Sequence, residues 1–373
     1  MAVNLRDRLR RIQENRKFES QADSPPDFSQ SDFSDKDCSK LINLGWKKCG
    51  FKTLKREIDS SSPFKNSALP PALAVLVPDL AGKSLPKNED FLFFDLETSG
   101  LYGGSAGTFA FLAAFGKPLS SGKMRITQYL LLDYPGENDF LQNVIAELNK
   151  EKSVIVTYNG KCFDSQIIKA RCLMNRIRPP EYWHVDLLHP ARRLWKNIIQ
   201  DCSQMSIEDN ILGIDRIDDI PGSLAPEIWF EFLKTGETDS LMGICDHNLS
   251  DIKGLASILS AIITIANDPM NNDKYRYDVE RLAMYWRRYL KWQDNNFYFD
   301  EIKTTGEKLL KYAAENDYRR AVYIYSFEQM KKGKYDEALK FVLRGLKLFK
   351  NEPDKYDVLQ RRKENLQKKL TKM

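Results

Sequence analysis

Apolar residues fall in short runs over the middle of the chain and at helical spacing over its last third. Residues 91–95 (FLFFD) form an apolar run that ends in an acid. Glu97 follows, and then Thr98, Ser99 and Gly100, which do not continue a buried strand. Such a run, bounded by turn residues, predicts a core strand. Residues 108–115 (TFAFLAAF), 125–132 (RITQYLLL), 153–157 (SVIVT) and 183–186 predict four more strands, with Gly103, Gly104 and Gly107 in the turn before the first. Helical patterning covers 137–150, resumes near Phe163 and fills most of the chain to Ile265. Three strands, helix, strand, helix, strand, helices is an α/β order, a mixed sheet flanked by helices.

The flanks differ in character. In residues 1–39, Leu5, Leu9 and Ile12 predict a short basic amphipathic helix, and the Ser-, Asp- and Pro-rich stretch 19–37 predicts a disordered linker. Residues 40–89 read as an irregular lead-in, broken by Pro63, Pro70, Pro71, Pro78 and Pro86, with a small strand opening around residues 51–54. The main α/β domain spans 90–265. Residues 273–373 read as helix throughout, with an antiparallel pair over 317–330 and 335–350, a turn at residues 331–334 and a further helix over 354–370.

Composition narrows the class. Hydrophobic residues make up 42% and charged residues 29% of 373, which is ordinary globular usage. No apolar run long enough to cross a membrane and no secretory leader is expected, so the reading is a cytoplasmic protein. The six cysteines contain no CxxC pair, so free thiols are expected and a zinc site is not. From residue 271 onward, 25 Lys and Arg face 16 Asp and Glu, a surplus of nine, so the part before it carries −4 of the total +5. An acidic half joined to a basic one suits an enzyme acting on a polyanion and equally suits a Lys-rich solvated surface.

The candidate chemistry lies at strand ends. Asp95 and Glu97 are two apart on a strand and so share a face. Two such carboxylates repel each other and resist desolvation, which a hard divalent cation offsets. Asp164 follows the strand 153–157 through an Asn159-Gly160 turn and opens a helix, where it serves equally well as a cap. His247 and Asp251 are one helical turn apart on one face.

The three elements together, FDLET, NGKCFD and HNLSD, resemble the ribonuclease H-like, DnaQ-type exonucleases of the DEDD class. In the sequences YGGSAGTFAFLAAFG, VDLLHPARRLW and LGIDRIDDIPG, the chain resembles the bacterial YprB-type branch of that superfamily over about residues 90–263. The three residues between His247 and Asp251 match the spacing of the Tyr-bearing members, whereas His-bearing members usually have four. The resemblance implies a ribonuclease H-like fold and a DEDDh-type 3′–5′ exonuclease. It implies that Asp95, Glu97, Asp164 and Asp251 hold two Mg²⁺ or Mn²⁺ ions and that His247 is the general base. Thr98, Tyr158, Asn159 and Phe163, next to these acids, are the expected contacts to the end of a single-stranded nucleic acid. GKYDEALKF resembles part of a tetratricopeptide repeat, which implies a C-terminal region able to bind a protein partner. A binding protein without cleavage is the alternative reading. Asp186 is expected to act as a cap or ion-pair partner, His184 and His189 as structural residues, and Arg192, Arg193 and Lys196 as a solvated helix face.

Overall fold

The computed structural model describes residues 38–64, 68–81, 84–100, 107–217, 219–271, 274–292 and 298–371. The expected N-terminal helix and linker, together with Gly103 and Gly104, lie outside them. Seven strands among the described residues make one sheet: β1 (Lys47–Gly50), β2 (Thr53–Ser61), β3 (Phe91–Thr98), β4 (Ala110–Pro118), β5 (Lys123–Leu131), β6 (Val154–Thr157) and β7 (Trp183–Asp186). Their order is β1-β2-β5-β4-β3-β6-β7. The strands from β1 to β3 pair antiparallel along this order, and β3, β6 and β7 pair parallel. β3 is central because Phe91, Leu92, Phe93 and Phe94 are buried on both of its faces, as a strand covered by helices on each side requires.

The lead-in 40–89 is not irregular throughout. Its β1–β2 hairpin extends the sheet beyond β5, and all nine residues of β2 pair with β5. The alternation in TLKREIDSS is weak, and its partner strand lies about 70 residues away, so the strand is specified by that pairing more than by local pattern. Among the described residues after β2, the proline-rich stretch carries a short buried helix, Leu73–Leu76, and the 3-10 helices Pro78–Leu80 and Asn88–Asp90.

Among the described residues, five helices of eight residues or more complete the α/β part: α1 (Glu137–Leu148), α2 (Asp164–Met174), α3 (Leu188–Trp195), α4 (Ala225–Thr235) and α5 (Asp239–Asn267). α5 packs across β3, β4 and β5. Contrary to the sequence expectation, its 29 residues include an 18-residue stretch apolar enough to cross a membrane. That apolarity has a local use, since Ile244, Ile252, Leu255, Ile258, Leu259 and Ile262 are fully buried within the protein.

The C-terminal region consists of α6 (Val279–Trp292), α7 (Phe299–Glu315), α8 (Arg319–Lys331), α9 (Tyr335–Leu348) and α10 (Pro353–Leu370), each packed on the next. The α/β core runs on into it. Trp286, Leu309, Val322 and Phe341 belong to the same apolar cluster as Phe93 and Ile252, and the Trp195 indole donates to the Arg276 carbonyl at 3.0 Å.

Candidate active site

Three segments distant in sequence meet at the C-terminal ends of the parallel strands. β3 supplies Asp95 and Glu97. β6 lies parallel to β3, so its C-terminal end reaches the same edge, where the chain turns sharply and starts α2 at Asp164. The turn relies on Asn159 in the left-handed region (φ 62°) and on Gly160. A Cβ at residue 160 would stand 2.5 Å from Thr157 Oγ1 and 2.7 Å from Asp164 Oδ2, so only glycine lets the chain pass this close to the acid. α5 brings His247, Asn248 and Asp251 over the sheet.

Glu97, Asp164 and His247 are 8%, 5% and 6% exposed, and Asp95 and Asp251 are half-buried. Burial, and then repulsion from Asp251, Asp164 and Glu97, hold the Asp95 carboxyl well above the usual range, with a hydrogen bond from Asn248 acting in the other direction. Burial followed by repulsion from Asp251, Asp164 and Asp219 does the same to Glu97. Burial, then Asp186 and Asp251, push Asp164 up to about 8. Ligand atoms of Glu97, His247 and Asp251 lie within 4.8 Å of one another. Clustered, desolvated oxygens whose ionised forms are disfavoured until a cation arrives are a donor set that fits a hard divalent ion.

The imidazole is held at both nitrogens. Nδ1 is 2.9 Å from both carboxylate oxygens of Asp219, and Nε2 is 3.2 Å from Asp251 Oδ2. Both nitrogens thus face carboxylate oxygens, which only accept: Asp219 orients the ring through Nδ1, and Asp251 flanks Nε2. Gly222 closes over this nitrogen, with a Cβ there falling 2.9 Å from Nε2. Arg216 ties the surrounding acids together. It donates to both oxygens of Glu208 (2.6 and 2.8 Å), to Asp251 Oδ1 (2.7 Å) and to Asp219 Oδ2 (3.2 Å).

The four acids and His247 named from sequence all fall at this site. The expected substrate contacts lie on its edge in different settings. Thr98 is buried and donates to the Gly100 carbonyl at 2.8 Å. The Tyr158 hydroxyl donates to the Cys202 carbonyl. Asn159 is exposed and Phe163 half-buried. Asp186 accepts from the backbone N–H groups of Asn159 (2.8 Å), Lys161 (3.1 Å) and Leu188 (3.1 Å), so it clamps the turn that carries Asp164. His184 lies between Thr157 and Ser165, and burial lowers it to about 4. Arg193 is spent on the Leu76 carbonyl and the Tyr285 ring, whereas Arg192 and Lys196 are exposed.

Arg216, Asp219 and Asn248 were not singled out from sequence. Asn248 lies inside HNLSD, and Arg216 and Asp219 lie inside LGIDRIDDIPG. An Arg with three Asp residues in a Gly- and Pro-bounded loop was the available signal.

The RNase H superfamily model matches residues 92–263. YprB of Bacillus subtilis, an uncharacterised protein, is 40% identical over 182 residues, which are 48% of this chain and 43% of YprB. The chain therefore spans less than half the length of that relative. Partial structural likenesses extend to the family B DNA polymerase of Pyrobaculum calidifontis (14% identity, TM-score 0.36, 53% of this chain and 29% of that one). They also extend to Escherichia coli exonuclease I in complex with a dT13 oligonucleotide (18% identity, TM-score 0.28, 43% of this chain and 45% of that one). The family match, the YprB likeness and the sheet order together show an RNase H-like fold over residues 92–263.

Proposed function

We propose that the protein is a metal-dependent nuclease, and more specifically a DEDDh-type 3′–5′ exonuclease that hydrolyses phosphodiester bonds at single-stranded nucleic-acid ends. One observation carries this reading: four carboxylates from three segments converge, against their own repulsion, beside an imidazole that Asp219 orients with Nε2 toward Asp251. Asp95, Glu97, Asp164 and Asp251 would hold the metal, Mg²⁺ or Mn²⁺, as two ions. Bound ions of this kind neutralise the charge that builds on the attacking and leaving oxygens of a phosphodiester.

The remaining work falls to the chain. Asp219 orients the His247 ring and stabilises the imidazolium that forms when Nε2 takes a proton from the attacking water. Asp186 and Gly160 keep Asp164 in place. Thr98, Tyr158, Asn159 and Phe163 border the space for the terminal nucleotide. The basic C-terminal region, with its surplus of nine positive charges, offers the phosphate backbone a non-specific surface. The 3′–5′ direction rests on the DnaQ-type likeness of the domain.

The second reading is a nucleic-acid-binding protein without cleavage, with tetratricopeptide-like helices α8 and α9 receiving a protein partner. It is favoured by one observation: Arg216 already neutralises Asp251 at Oδ1. The readings separate with Asp95→Ala. The nuclease reading expects cleavage and Mn²⁺ binding in the wild type, with both abolished in a variant that still melts cooperatively. Cleavage that persists in the purified variant sinks it.

A further inference from the structure

One row of paired positions crosses four strands, from Arg56 in β2 to Gln128 in β5, Ala114 in β4 and Asp95 in β3. Paired positions share a sheet face, so the arginine and the candidate metal ligand lie on the same side with an alanine between them. The small Ala114 leaves room above the sheet, and Asn248 of α5 bridges the gap. The hydrogen bonds form a continuous line. Arg56 Nε and Nη2 donate to Gln128 Oε1 (3.1 and 2.7 Å). Gln128 Nε2 donates to Asn248 Oδ1 (3.0 Å) and to the Cys245 carbonyl (2.7 Å). Asn248 Nδ2 donates to Asp95 Oδ2 (2.7 Å). Gln128 and Asn248 are fully buried and Arg56 is 8% exposed, with its guanidinium 4.9 Å from the centre of the Trp46 ring.

The direction of this line is not arbitrary. A side-chain amide can turn either face to a neighbour, but a guanidinium only donates. Arg56 on one side and the acceptor-only Cys245 carbonyl on the other therefore oblige Gln128 to turn its oxygen outward and its nitrogen inward. Gln128 in turn obliges Asn248 to present its oxygen to Gln128 and its nitrogen to Asp95. We infer that Arg56, in the hairpin outside residues 92–263, is a positioning residue for the catalytic centre. Through Gln128 and Asn248 it holds Asp95 by one oxygen, as an acceptor, and leaves the other oxygen for the cation. The β1–β2 hairpin is then part of the active-site apparatus, and the RNase H superfamily segment alone carries an unanchored relay. This inference rests on the proposed metal-dependent function.

The test compares Arg56→Met with Arg56→Lys in the full chain. Met keeps bulk against Trp46 but donates nothing, so Gln128 Oε1 loses its donor and the Cys245 carbonyl alone is left to orient the amide. Lys replaces the guanidinium but keeps a donor-only group facing Gln128. Mn²⁺ affinity is measured from the electron paramagnetic resonance signal of free Mn²⁺, and folding is checked by thermal melts in EDTA. The expected result is a loss of affinity of about 10-fold in Arg56→Met and near wild-type affinity in Arg56→Lys, with both variants melting cooperatively. Wild-type affinity in Arg56→Met overturns the relay. Equal losses in both variants also overturn it, because they would trace the effect to packing and not to the donor. A wild type that binds no Mn²⁺ overturns the metal-dependent reading itself, and the relay's role with it.

Discussion

Replacing Asp164 with asparagine should make the metal-free protein more stable while removing its response to metal. Asp164 is 5% exposed and is pushed up to about 8 from an ordinary 3.8, by burial first and then by Asp186 and Asp251. Between these two values the unfolded chain has lost the Asp164 proton and the folded chain keeps it. The folded state thus binds more protons there, and stability falls as pH rises. The fall is about 1.4 kcal/mol per pH unit, begins near pH 4 and levels off near pH 8. Its total is on the order of 5 kcal/mol, an upper figure because neighbouring carboxyls share the repulsion. The isosteric asparagine has no proton to lose. The gap between variant and wild type should therefore widen from pH 5 to pH 8 and then stay constant. At about 2 cal/mol/K of unfolding entropy per residue, a chain of this size shows the full gap as about 6 °C. Melts in EDTA followed by circular dichroism measure it, and Mn²⁺ added at pH 8 should raise the wild-type midpoint but not that of the variant. A gap independent of pH, or one that narrows as pH rises, would refute the reasoning.

Three further outcomes are expected. Asp219→Asn weakens the hold on His247 Nδ1 at 2.9 Å and should lower kcat by about 100-fold with little change in KM, as steady-state cleavage would show. Gly222→Ala places a methyl group 2.9 Å from His247 Nε2. It should cut the rate by about 10-fold without a comparable loss of melting temperature. Replacing the exposed Arg361, Lys368 and Lys369 together with glutamate should flatten the salt dependence of single-strand binding, by about 0.7 in log–log slope for each phosphate that is no longer neutralised. Removing residues 271–373 would be a poorer test, because Trp286 and Val322 belong to the same apolar core as the nuclease-like domain.

The legible part of this protein was the part encoded locally. The apolar run before Asp95, the period-2 placement of Glu97, the Asn159-Gly160 turn before Asp164 and the one-turn spacing of His247 and Asp251 each follow from neighbours in sequence. The same holds for the last three helices, α8 to α10, whose boundaries lie within a few residues of those expected. The strand β2 was less legible because it is specified by pairing with β5, and the prolines that follow it suggest irregularity. Arg216 and Asp219 lie in a loop without periodicity, and their partners Asp251 and His247 are 35 and 28 residues away. The line from Arg56 to Asp95 needs the register of three strand pairs before it exists at all. The length and apolarity of α5 are also understated by local pattern. Charged residues interrupt its apolar stretches, although the helix as a whole is the main cover of the sheet.

Nuclease activity is read on 5′-labelled single-stranded DNA and RNA, incubated with purified wild type or His247→Ala in Mn²⁺, Mg²⁺ or EDTA. A DEDDh-type exonuclease gives a metal-dependent ladder that shortens from the 3′ end, is absent in EDTA and is strongly reduced in the variant. Intact substrate in every lane, with Mn²⁺ and single strands still bound by the wild type, would contradict it and leave a binding protein in place of a nuclease.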